Sequence, residues 1–162
     1  SPTVTAMMRD SYTVFAYVMS WLIERKFTGP LVVMGRSLGS APALEVVFHN
    51  PERIAGLIIE SGFARILPLL RLLGIQDTEL TEGSGPRSLE KIRQVRMPTL
   101  IIHAAQDHII PFAEGKELYE ASGATEKRFI EIPDADHNNI FFQGTKRYLD
   151  ALGTFMKILH KR

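Results

Sequence analysis

The 162-residue chain is 45% apolar and 23% charged, with a net charge of +1 and no cysteine. That composition suits one globular domain, able to bury roughly 70% of its unfolded surface. Dispersed Lys and Arg give no nucleic-acid face, and the missing cysteines exclude disulfides and thiolate metal sites. No apolar run approaches the ~20 residues that span a bilayer. Ser1-Pro2-Thr3-Val4-Thr5 lacks a signal-peptide layout, and a cysteine-free chain is compatible with a reducing cytoplasm, the compartment expected here.

Residues Thr5 to Lys26 read as a long helix whose apolar face is Met8, Tyr12, Phe15, Met19 and Leu22. Thr3 or Thr5 is its expected cap, Trp21 a packing residue, and Thr28-Gly29-Pro30 the helix-breaking stretch beyond its end. Leu31 to Met34 is a short, wholly apolar run, as in a parallel strand covered on both faces. A helix over Ala41 to His49 comes next, ending at Asn50-Pro51. Ala55 to Ile59, Thr99 to His103 and Lys127 to Ile132 read as three more strands. Helices are expected over Phe112 to Ala121 and Lys146 to His160, the last with Leu149, Leu152, Phe155, Met156 and Leu159 facing inward. Alternating strands and helices imply a parallel α/β sheet with helices on both faces. The stretch 63–97 breaks the alternation: it holds the apolar patch Ile66, Leu67, Leu69, Leu70, Leu72 and Leu73, then a polar segment from Gln76 to Gly85. It reads equally well as a small lid or as a packed surface helix followed by a loop.

The motif Gly35-Arg36-Ser37-Leu38-Gly39 follows a strand and opens a helix. A serine on so tight a turn is held in a strained conformation with its hydroxyl exposed above the sheet. The glycines two before and two after remove side chains that would clash there. The N–H of Leu38 would then point at a developing oxyanion. A serine needs a base, and the base an orienting acid. Asp107 lies past the end of the third strand, and His137 lies past the fourth, in Pro133-Asp134-Ala135-Asp136-His137. Loops after parallel strands emerge on one edge, so the three residues can converge. Glu60, at the end of the second strand, is a rival acid. His103 and His108 flank Asp107, but their spacing matches no standard zinc pattern, so no metal and no cofactor are expected.

These residues resemble the C-terminal part of an α/β-hydrolase, in the order Ser, Asp, His. "MPTLIIHAAQDHIIPFAEGKELYEA" resembles that superfamily's acid loop with its flanking strand and helix. "IEIPDADHNNIF" resembles its histidine loop. The similarity is closest to small-lid bacterial ester hydrolases and serine peptidase-like members. Two positions depart from the family pattern, Ala104 and Asp136, each where glycine is common. The second sets a carboxylate beside His137, where it can raise the basicity of the ring or compete with Asp107. The four strands resemble the last four of about eight, so the chain reads as a fragment, proteolytic or otherwise. Its first strand would be a bare edge, awaiting the absent N-terminal half or a second copy.

The resemblance implies a serine hydrolase acting on a small ester or thioester through an acyl-enzyme. Ser37 would be the nucleophile, His137 the base, Asp107 its acid and Leu38 an oxyanion donor. Ile66, Leu69, Leu70 and Leu73 of the lid would line the acyl site. An amide or peptide hydrolase, an acyltransferase, or a catalytically silent binding module are the alternatives.

Overall fold

A computed structural model describes residues 3–72, 74 and 85–160. Four strands, β1 (Val32–Arg36), β2 (Gly56–Glu60), β3 (Thr99–Ala104) and β4 (Lys127–Ile132), form one sheet in the order β1-β2-β3-β4. Every neighbouring pair is parallel. The inner strands β2 and β3 are buried at every residue, which their unbroken apolar runs require. Because all four strands run the same way, the chain leaves each of them at one rim.

The pleat sends alternate side chains to opposite faces. On one face Leu57, Ile59 and Ile101 meet helices α2 (Ser40–His49), α4 (Ser88–Ile92) and α5 (Phe112–Ala121). On the other, Ile58, Leu100, Ile102 and Ile132 meet α6 (Ile140–Leu159). The sheet is therefore covered on both faces, as its composition implies. A third apolar cluster sits where the chain leaves the strands: Ile66, Leu69 and Leu70 of α3 (Ile66–Leu72) pack on Ala41, Phe63 and Ile110.

Two expectations need correction. The last helix begins at Ile140, not Lys146, because it continues across Gly144, whose φ of −111° and ψ of 19° kink it. There the bare backbone lies against Ile132, where a Cβ would come within 2.3 Å. The buried stripe is Ile140, Gly144, Tyr148, Ala151, Phe155 and Leu159. Leu149 therefore faces solvent, one residue out of phase with Tyr148. The first helix, α1 (Val4–Glu24), is capped by the Thr3 hydroxyl, which accepts the Ala6 N–H at 3.0 Å. It has no buried residue, and Tyr12 of the expected inward face is exposed. The helix lies mainly on α2, so only one side of it finds cover. Trp21 packs locally, stacked on Phe27. Among the described residues no helix is long and apolar enough to cross a membrane.

What ties α1 and α4 to α2 is the carboxylate of Glu45. It accepts from the Tyr12 hydroxyl, pairs with Lys91, and lies 3.3 Å from the His49 ring. Burial pushes this carboxyl up, but Lys91, Tyr12 and His49 together outweigh it and hold it below the usual carboxylate range. Burial and Glu45 raise the Tyr12 phenol to about 12, so it stays a donor. A depressed folded pKa stabilises the fold above the ordinary value of 4.5 and loses that contribution as pH falls through the lower folded value. Wild-type urea midpoints are therefore expected to fall more steeply than those of Glu45→Gln as pH drops from 4.5 through the lower folded value. Parallel acid profiles would contradict the Glu45 account.

Candidate active site

The chain turns from β1 into α2 through a single 3-10 turn, Ser37–Gly39. Ser37 has φ of 53°, in the left-handed region that a non-glycine residue occupies at a cost of about 1–3 kcal/mol. Gly35 makes the turn possible. A Cβ there would lie 2.5 Å from the Gly39 carbonyl oxygen and 2.6 Å from the Ala43 Cβ. Gly39 does not have the role its place in the motif suggests. Its φ is −66° and a Cβ would meet nothing within 4 Å.

The turn holds the Ser37 hydroxyl 3.0 Å from Nε2 of His137. The other ring nitrogen, Nδ1, is 2.7 Å from Oδ2 of Asp107. A carboxylate only accepts, so Nδ1 carries the proton and Nε2 is left free to accept from serine. Oδ1 of Asp107 accepts the N–H groups of Ile109 and Ile110, at 3.0 and 2.8 Å, which fixes the carboxylate. Both Asp107 and His137 are buried, and Ser37 is half-buried. The loops carrying them are joined by backbone bonds from Ala105 to Ile132 and from Gln106 to Ala135. Burial makes these polar contacts stronger than they would be in water. Such a chain can move a proton off a hydroxyl while compensating the charge formed on the imidazole.

Neighbouring candidates have other partners. Asp136 does not compete for His137. Its carboxylate accepts the N–H groups of Asn138 and Asn139, at 2.8 and 3.0 Å, and closes its own loop. Glu60 faces Arg36 and Tyr148 instead of the histidine ring. His103 is fully buried, and its Nε2 donates to the Ile110 carbonyl at 2.9 Å. Burial pushes its imidazole down, more than that carbonyl and Asp107 pull it up, so the ring stays neutral. Leu38 follows the serine within the same 3-10 turn.

The apolar residues expected to hold substrate divide. Ile66 and Leu70 are packed into the cluster beneath α3. Leu69 packs there too, and it lines a cavity of about 220 Å³ with Phe63, Leu72, Ile109 and Ile110. Leu73 lies outside the described residues, as does most of the polar part of the expected lid. Sequence reading missed Arg36 and Tyr148. The signal for Arg36 was its register opposite Glu60 on the neighbouring strand, and Tyr148 needed the correct phase of α6.

The family model described as serine aminopeptidase, S33, matches residues 82–142. The α/β hydrolase domain-containing protein WAV2 of Arabidopsis thaliana is 28% identical over 137 residues, covering 75% of this chain and 44% of WAV2. Protein bem46 of Schizosaccharomyces pombe is 29% identical over 145 residues, covering 86% of this chain and 47% of bem46. A solved structure from work on the metagenome-derived lipolytic enzymes LipS and LipT superposes with a TM-score of 0.71 at 20% identity, covering 96% of this chain and 74% of that one. The chain belongs to the α/β-hydrolase superfamily. It spans less than half the length of these two curated relatives.

Opposite outcomes are expected for the two glycines of the turn. Gly35→Ala should lose at least about 1–3 kcal/mol to overpacking. Gly39→Ala should be neutral or gain about 0.4–1 kcal/mol from a stiffer unfolded chain. Urea denaturation of both variants checks this, and equal losses would contradict the turn geometry.

Proposed function

We propose that this α/β-hydrolase chain carries the catalytic machinery of a serine hydrolase that cleaves carboxylic esters or thioesters. The observation supporting this most directly is the unbroken hydrogen-bond chain from Ser37 through both ring nitrogens of His137 to Asp107, with links of 3.0 and 2.7 Å. In this reading Ser37 Oγ attacks the substrate carbonyl carbon while its proton passes to Nε2 of His137. Asp107 keeps the ring in the required tautomer and stabilises the imidazolium. The Leu38 N–H stabilises the oxyanion. Collapse of the tetrahedral adduct expels an alcohol or thiol, which takes the proton from Nε2. Water then attacks the acyl-enzyme, giving a proton to Nε2. The acid leaves, and Ser37 regains its proton.

The 220 Å³ cavity is smaller than the roughly 300–1,000 Å³ of typical ligand pockets. Its lining is mostly apolar, with Arg65, His108 and Glu114 beside the apolar residues, and its size favours a short acyl group. The serine aminopeptidase description of the matching family model supports a second reading, an aminoacyl or peptide substrate. The outer edge of β1 has no partner strand among the described residues, and Met34 on it is 46% exposed. In our reading polypeptide beyond the described residues covers this edge and supplies a second oxyanion donor.

A fluorophosphonate should label the protein stoichiometrically at Ser37, and the label should vanish in Ser37→Ala. Asp107→Asn should lower kcat about 10⁴-fold by fixing the wrong tautomer. Folded protein that takes no label would reject the reading. Across p-nitrophenyl esters of graded acyl length, the shortest chains should give the highest kcat/KM. A flat profile would reject the cavity as the acyl site, and faster cleavage of aminoacyl p-nitroanilides would favour the peptide substrate.

A further inference from the structure

The register of β1 and β2 sets Arg36 opposite Glu60 at the last position of both strands. Glu60 shares its face of the sheet with Ile58, the face that α6 covers. Nε of Arg36 donates to Oε1 of Glu60 at 2.8 Å. The other carboxylate oxygen accepts from the Tyr148 hydroxyl of α6. Burial, then the Glu60 carboxylate, pushes the Tyr148 phenol well above its ordinary range, so it stays protonated and donates. Both Glu60 and Tyr148 are about 5% exposed. A second guanidinium nitrogen of Arg36, Nη2, donates to the backbone carbonyl of His137.

His137 is thereby gripped at two ends. Asp107, at the end of β3, holds its ring, and Arg36, at the end of β1, holds its backbone. Arg36 also directly precedes Ser37, so the residue carrying the strained turn is joined to the loop that must meet it. A buried carboxylate is costly unless paired and fully hydrogen-bonded. Glu60 spends both oxygens fixing Arg36 and α6, which orients the guanidinium fork.

We infer that Arg36, braced by Glu60 and Tyr148, is a positioning residue that clamps the His137 loop to the serine turn and so sets the Ser37–His137 distance. This rests on the serine-hydrolase reading above. None of the three touches substrate in this account. A misplacement near 1 Å in a relay of this kind costs on the order of 100-fold in rate. The clamp therefore acts on kcat, through geometry, and leaves substrate affinity alone.

The test uses p-nitrophenyl ester turnover with Ser37 labelling. Arg36→Met should lower kcat about 10- to 100-fold with KM within about twofold. Millimolar methylguanidine should restore part of that rate, a rescue that a general loss of packing does not show. Adding Glu60→Gln to Arg36→Met should cost little more, since the two act as one unit. Wild-type kcat in Arg36→Met, or additive losses without rescue, would overturn the clamp. If Arg36→Met does not fold, Arg36→Lys decides: one ammonium cannot reproduce the fork, so kcat should still fall, and an unchanged kcat overturns the proposal. The proton on Nδ1 of His137, followed by NMR, separates this inference from the reading beneath it. Failure of wild type to take the label defeats the hydrolase reading alone. A broadened Nδ1 proton in Arg36→Met or Arg36→Lys still supports the clamp, and a signal as sharp as wild type defeats it.

Discussion

A buried imidazole can serve as a base only if something fixes which nitrogen carries its proton, and Asp107 does this for His137. The carboxylate spends one oxygen on two backbone N–H groups of its own loop and the other on Nδ1. Its orientation is held by its own loop as well as by the histidine. With Nδ1 protonated, the lone pair on Nε2 faces the Ser37 hydroxyl. The chemistry open to this chain depends on that asymmetry, because an imidazole of the opposite tautomer would turn an N–H toward the serine and have no lone pair there to take its proton.

The sheet makes this arrangement possible and places strain where it is useful. Three strand ends deliver Ser37, Asp107 and His137 to a common rim without any of them being near in sequence. Ser37 at the end of β1 and Asp134 beyond β4 both hold positive φ, at 53° and 57°. Such residues survive only where packing over-determines the backbone. Here the packing is Gly35 against α2 on one side and the paired acid and histidine loops on the other. Residues that look catalytic by type take structural parts around this frame. Asp136 closes a loop, His103 props the chain after β3, and Glu60 anchors Arg36.

Much of this was legible in the sequence because it obeys local rules. The two inner strands are unbroken apolar runs because both their faces are covered. The serine turn is visible because a strand, a glycine and a helix start must coincide there. Where reading failed, tertiary contact decided. Leu149 fits an apolar period, yet the kink at Gly144 turns it outward and brings Tyr148 to the core. Tyr12 looks inward-facing, but α1 has α2 on one side only, and the tyrosine takes a carboxylate partner. Gly39 matches the motif and meets no neighbour. Of the residues expected to line the acyl site, Ile66 and Leu70 are packed into the cluster at α3, and Leu69 lines a cavity together with Leu72. Arg36 sits at a variable position of its motif, so its role emerges only from strand register and a loop a hundred residues away.

The central claim is that the Ser37 oxygen becomes covalently bonded to an acyl group during turnover. Mass spectrometry of protein quenched during hydrolysis of a slowly deacylated ester tests it most directly. One acyl mass on the tryptic peptide beginning at Ser37 is the expected result. Turnover with the acyl group on another peptide, or with none trapped and undiminished rate in a serine-to-alanine variant at 37, would contradict the account.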